Sequence, residues 1–121
     1  MTVAAGANLQ GIIDGADDVA TLCLEPGSYF GPLNVTKSVE IWGPRDAVVR
    51  SSGEGTTIEI AVDGSTLTGV TVDGSGGRFD TLDAAVHVVA DDVRVEGIRV
   101  QSAAFGLLIE KANRAMILNN V

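Results

Sequence analysis

Four short segments of this chain lie over one another in columns, and that register constrains the fold more than any other feature. They are Ser38-Val-Glu-Ile-Trp-Gly43, Gly64-Ser-Thr-Leu-Thr-Gly69, Asp92-Val-Arg-Val-Glu-Gly97 and Arg114-Ala-Met-Ile-Leu-Asn119. Each alternates with period two, the side-chain period of a strand. One apolar column reads Ile41, Leu67, Val95 and Ile117. Beside it run Val39, Ser65, Val93 and Ala115, with one polar exception. Gly43, Gly69, Gly97 and Asn119 close the pattern where a tight bend or an inward Asn is wanted. Lys37, Asp63, Asp91 and Asn113 precede it as a polar turn column. The closing residues are spaced by 26, 28 and 22 positions, a period that belongs to solenoid architectures. The two longer spacings have visible homes, the Pro44-Arg45-Asp46 insert and the Gly74–Thr81 loop.

Two further strands per coil follow the same logic. Val70 and Val72, then Ile98 and Val100, alternate with outward Thr71 and Arg99. Ile58 and Ile60, then Val86 and Val88, then Leu107 and Ile109, enclose outward Glu59, His87 and Leu108. Three short strands per coil describe an all-β fold, a parallel β-helix of about four coils. Parallel crossovers strongly prefer the right-handed path, so the helix is expected to be right-handed. A β-sandwich also has short alternating strands, but it does not explain columns in register. Composition agrees: apolar residues are 45% of the chain but aromatics only 4%, so the core must be aliphatic.

The two ends differ. Asn8 is placed to cap a short helix in which Leu9, Ile12 and Ile13 share a face, with Gly15 as its stop. Gly11 weakens that helix, so it persists only by laying its apolar face over a first coil that includes Leu22 and Leu24. The expected organisation is a single domain over residues 1–121, with a cap over 1–18 and coils over 19–121. At the other end, aligning Asn119 with Gly97 sets Val121 opposite Arg99. The apolar partner of Val72 and Val100 would fall one position beyond Val121. The expectation is that further coils follow, or that a second copy pairs with the last coil around Met116, Ile117 and Val121 in a two-fold homodimer.

The formal charge of −8 argues against nucleic acid and against an anionic membrane as partner, since both need clustered Lys and Arg. The single cysteine, Cys23, excludes an internal disulfide framework and a multi-Cys zinc site. There is no apolar run of spanning length, and the first residues carry no signal-peptide pattern. No motif calls for a cofactor.

Leu9-Gln-Gly-Ile-Ile-Asp14, then Leu22-Cys-Leu-Glu-Pro-Gly-Ser-Tyr-Phe30, then the Val93-Arg-Val-Glu-Gly-Ile-Arg-Val100 type of coil resemble the pectin-lyase-like β-helix superfamily. More narrowly, they are similar to the periplasmic accessory proteins that help mature copper-containing nitrous oxide reductase, and to related carbohydrate-binding and sugar-hydrolase β-helix domains. The Pro26-Gly-Ser-Tyr29 turn matches that group closely. The resemblance covers nearly all of the chain, but its motifs are structural and specify fold more than function. It implies a periplasmic or secreted protein and a glycan as ligand.

The resemblance also points to the outward face of the Ile58, Val86 and Leu107 strands, along which sugar chains lie in related enzymes. That face carries Glu59, His87 and Leu108 in one column and Ala61, Val89 and Glu110 in the next. Neighbouring strands lie about 4.8 Å apart, so Glu59 and His87 are near enough for an acid–base pair. A solvated Glu beside the only histidine is the plainer reading. Glu59 and Glu110 have backbones roughly 11–12 Å apart, a poor match to the carboxylate pair of a glycosidase. Cys23, His87 and Met116 fall on different strands without ligand spacing, which speaks against copper. The Asp73–Asp83 loop holds three carboxylates but lacks an EF-hand pattern. Trp42 faces outward, either to stack on a sugar ring or to pack under the Pro44 insert. The expectation is therefore a non-catalytic binding or scaffold module with no metal. The alternatives are a fragment of a β-helix lyase or hydrolase, and an accessory protein for copper-enzyme maturation.

Overall fold

The structure is a computed structural model that describes residues 2–16, 20–51, 55–74, 83–101, 105–110 and 116–118. Strands are numbered along the chain, and α1 (Leu9–Gly15) is the only helix described. One sheet holds six strands, β1 (Thr2–Val3), β2 (Thr21–Leu24), β5 (Glu40–Trp42), β8 (Thr66–Thr68), β11 (Arg94–Glu96) and β14 (Met116–Leu118), in that spatial order. A second stacks β3 (Gly27–Phe30), β6 (Ala47–Arg50), β9 (Thr71–Asp73) and β12 (Arg99–Gln101). The third stacks β4 (Leu33–Val35), β7 (Ile58–Ile60), β10 (Ala84–Val88) and β13 (Phe105–Ile109). Every described strand pair is parallel. The chain is thus a parallel β-solenoid of about four turns.

The columns read from the sequence are the register of the first sheet. Leu22, Ile41, Leu67, Val95 and Ile117 are successive partners, and the first four are buried. Val39, Ser65 and Val93 are buried beside them, and the Ser65 hydroxyl finds the Lys37 and Val62 carbonyls. Tyr29, Val49, Val72 and Val100 line the second sheet inside, and Leu33, Ile58, Val86 and Leu107 the third. The core is therefore a shaft of aliphatic side chains with one aromatic, Tyr29, near its N-terminal end. Ile109 departs from expectation: on β13, the last described strand of its sheet, it is 42% exposed.

The bends stack as well. The Gly43 N–H donates to the Thr68 carbonyl and the Gly69 N–H to the Glu96 carbonyl, so the ladder runs on through the corner. In the turn column Asp63 accepts the Asp91 N–H at 2.8 Å, and the Ser38 hydroxyl donates to the Asp63 carbonyl. Arg114, Ala115, Asn113, Asn119 and Val121 lie outside the described residues, as do Asp17 and Asp18 at the end of the expected cap.

The N-terminal cap is more elaborate than its sequence suggests. Asn8 accepts the Gly11 N–H as N-cap, and Leu9 and Ile13 are buried against the first coil. Gly11 is more than a weakness, because a Cβ there would crowd the Asn8 side chain. Gly15 is not itself the stop expected of it. It is the last helical residue, and Ala16 ends the helix in extended backbone, its N–H donating to the Ile13 carbonyl. Before the helix, β1 adds to β2, a strand too short for any period-two signal.

Candidate functional site

The candidate face is the outer surface of the third sheet. Ile58, Ile60, Val86 and Val88 are buried, and period-two alternation then forces Glu59 and His87 outward. In register, Asn34, Glu59, His87 and Leu108 form one column across four strands. Asn34 was not singled out from the sequence, although its place between inward Leu33 and Val35 gives the same signal.

His87 lies between two carboxylates contributed by the coils on either side. Its Nε2 is 3.0 Å from Glu110 Oε1, and its Nδ1 is 3.9 Å from Glu59 Oε2. A carboxylate only accepts, so Nε2 carries the proton and donates to Glu110. The Glu59 contact is too long for a hydrogen bond, and it is an ion pair only when the ring carries both protons. The expected Glu59–His87 pair is therefore the looser of the two. Glu110 follows β13, with its backbone N–H donating to the Val88 carbonyl at 2.9 Å, and its side chain leans back across the diagonal to the imidazole. The side chain of His87 is only 17% exposed, against 42% for Glu59 and 43% for Glu110, so the ring is shielded and its partners stay wet.

This arrangement limits the chemistry. Glu59 and Glu110 do lean together, as a glycosidase pair would have to, but the imidazole stands between them where a glycosidic oxygen would need to enter. Apart from these two carboxylates, His87 has no described side-chain partner, so no hydroxyl or thiol nucleophile is hydrogen-bonded to it. The two carboxylates approach opposite ring nitrogens, which cannot converge on one metal ion. Among the described residues no group of three His, Cys, Asp or Glu side chains could hold one. Nor does any cavity open among them.

No family model, curated protein or solved structure matches the chain. The solenoid and its faces therefore stand on their own geometry.

Trp42 is not part of the His87 face. It lies on the outside of the first sheet, 43% exposed, beside Cys23 and Thr68 in register. The Pro44 insert covers Thr71 instead: the Thr71 hydroxyl donates to the Arg45 carbonyl at 2.8 Å, and Thr71, expected outside, is buried. Around Trp42 the sheet presents Glu40, Thr66 and an Arg94–Glu96 ion pair at 2.7 Å. Cys23 is half-buried on this first sheet, remote from His87 on the third. On the second sheet, Asp73 is held by Arg50, which also donates to the Ser28 hydroxyl. Asp83 is buried, and Asp80 falls outside the described residues, so the loop's three carboxylates are not seen together. Phe30, exposed beside Arg50, was singled out only as the end of a motif.

Proposed function

We propose that this chain is a non-catalytic binding module of the carbohydrate-binding β-helix type, whose ligand is an extended glycan lying along the Asn34–Glu59–His87–Leu108 face. The observation that carries this reading is the state of His87. The only histidine of the chain spends its Nε2 proton on Glu110 and turns Nδ1 toward Glu59, an arrangement that suits a fixed polar contact better than a shuttling base. An open strand face without a cavity favours a long ligand over a small one. The resemblance of the Pro26–Tyr29 turn and of the helix carrying Gln10 to the pectin-lyase-like superfamily supports the same class of ligand.

Charge narrows it. The column and its diagonal neighbour carry Glu59 and Glu110, with no Lys or Arg among their described residues. A polyuronate would meet like charge along its length, whereas an uncharged glycan offers hydroxyls to both carboxylates and to the Asn34 amide. Neither the polysaccharide-cleaving nor the copper-handling alternative gains an observation of its own.

The test is a glycan array on the wild-type chain, followed by titration of the strongest uncharged hit against Glu59→Ala, His87→Ala and Glu110→Ala. Each substitution is expected to weaken binding by about tenfold, the loss of a polar contact worth about 1–2 kcal/mol, with no reducing ends released from any polymer. Binding that survives all three and fails in Trp42→Ala would discard this face in favour of the first sheet.

A further inference from the structure

A count of the protons on the His87 ring leaves one place unfilled. A neutral imidazole has a single N–H, and Nε2 spends it on Glu110 at 3.0 Å. Nδ1 is then a bare lone pair, and opposite it stands Glu59 Oε2 at 3.9 Å, which also only accepts. Two acceptors face each other with no hydrogen between them. A water, a hydroxyl of a bound ligand or a second proton on the ring would supply one. The first two leave the histidine neutral. The third makes it a cation between two carboxylates, one from the coil before and one from the coil after.

Among the described residues, few other charges surround the ring. β7 contributes Glu59 and the end of β13 contributes Glu110, while Asn34 and Leu108 in the same column are uncharged. On β10 itself the neighbours of His87 are Val86 and Val88. Asp83 and Asp91 lie four residues away on either side, at the buried entrance to the strand and in the turn column. β9, beside β10, brings Asp73, which Arg50 holds on the second sheet. Imidazole ordinarily changes charge between about pH 5 and 8, where carboxylates ordinarily stay ionised. With its second proton the ring has two donors for two acceptors. Closing the gap takes about 1 Å of travel, from 3.9 Å to the roughly 2.8 Å of a charged N–H···O bond. Glu59 is the partner able to move, since its side chain stays wet while the ring is shielded.

We infer that His87 is an acid clasp, whose second proton draws Glu59 onto Nδ1 and takes that carboxylate off the glycan-binding face. The effect on binding rests on the glycan reading of this face, whereas the clasp itself does not. At neutral pH the gap is open, and a ligand hydroxyl fills it by donating to Nδ1 or to Oε2. In acid the ring proton occupies the same place. Proton and ligand hydroxyl exclude each other, so binding expels the proton and the proton weakens binding.

The experiment starts from the full chain, isotope-labelled and free of ligand, followed by NMR from about pH 8 to pH 5. The ring nitrogens report the tautomer, and the Glu59 side-chain carboxyl carbon reports its capture. The expected result is a proton on Nε2 alone at the alkaline end, then a second on Nδ1, with the Glu59 signal moving in the same step. Calorimetry over the same range then follows the strongest uncharged oligosaccharide from the glycan array. Affinity should fall by up to about tenfold per pH unit at the acid end and stay level in His87→Gln, whose side chain does not titrate. A ring that titrates while the Glu59 carboxyl stays still overturns the inference. So does a neutral ring with its proton on Nδ1, because the gap is then already filled. Wild-type affinity that stays level, or falls as steeply in His87→Gln, overturns the control of binding. Should no oligosaccharide bind at any pH, the glycan reading fails and the ligand-free spectra decide the clasp alone.

Discussion

Tyr29 is fully buried, and its hydroxyl lies 2.9 Å from the Val3 carbonyl and 2.7 Å from the Glu25 carbonyl, joining β1 to the corner before β3. Burial, above all, pushes the phenol above its ordinary value of 10.0; the nearby Glu25 and Cys23 charges add to this, against a hydrogen bond to the Glu25 backbone. The sign follows from linkage. The native state holds the phenolic proton more tightly than the unfolded chain, so this contribution is whole below about pH 10 and is lost as pH rises through the elevated native value. Urea midpoints measured from pH 8 to 11 are expected to fall at the alkaline end. Tyr29→Phe should lower the pH 8 stability by about 1–2 kcal/mol and flatten the alkaline fall; an unchanged slope would remove Tyr29 as its cause. At this scale the sequence was only half legible. Period two named Glu59 and His87 as outward neighbours, because register fixes which Cα atoms face each other. It could not say that Glu110, a diagonal neighbour, would be the one to reach the imidazole, because that depends on how a three-bond side chain leans. Thr71 misled for a related reason: alternation turned it outward, and an insert from the preceding coil covered it.

Among the elements, the corner after the first-sheet strands is the most demanding. Gly69 has φ +82°, and a Cβ there would collide with the Gly43 carbonyl oxygen, whereas Gly97 has φ +64° and no described residue near that position. Gly97→Ala therefore meets only backbone strain, about 1 kcal/mol, while Gly69→Ala adds a backbone collision and is expected to cost about 3 kcal/mol or more. Chemical denaturation of the two variants side by side reads the difference, and equal losses would mean that the corner yields. These elements were legible because they repeat. Four near-copies of one pattern expose a register that no single copy would, and the apolar stripe of Leu9, Ile12 and Ile13 announced α1. β1 was not legible. Two residues have no period, and Thr2 and Val3 become a strand only because β2 waits for them. The helix stop was misplaced because Gly15 satisfies a pattern that the Ala16 N–H makes unnecessary.

For the whole molecule, the repeated contact between coils sets the energetics. Each coil touches its neighbours only, so stability is close to a sum of stacking terms, and a short array unfolds together. Leu67 sits in the middle of the longest column, 1% exposed, and Leu67→Ala should cost about 2–5 kcal/mol through the cavity it leaves. Ile109→Ala, on a half-open edge, should cost less than about 1 kcal/mol. Thermal melts of the pair are expected to keep one transition, displaced far for the first and little for the second. Two separated transitions for Leu67→Ala would mean that the coils melt independently.

The closure of the first coil by residues 2–15 also bears on how the solenoid comes to be built. A ribosome delivers these residues before the coil that they cover, and they need nothing later than Thr36 to seat: the partners of β1, of the Gly6 amide, of Gln10 and of Asp14 all lie between Cys23 and Thr36. Every subsequent coil then arrives beside a finished template and has one free edge on which to settle, rather than two. Synthesis and assembly run in the same direction, and the longest search any new strand makes is the length of a single turn.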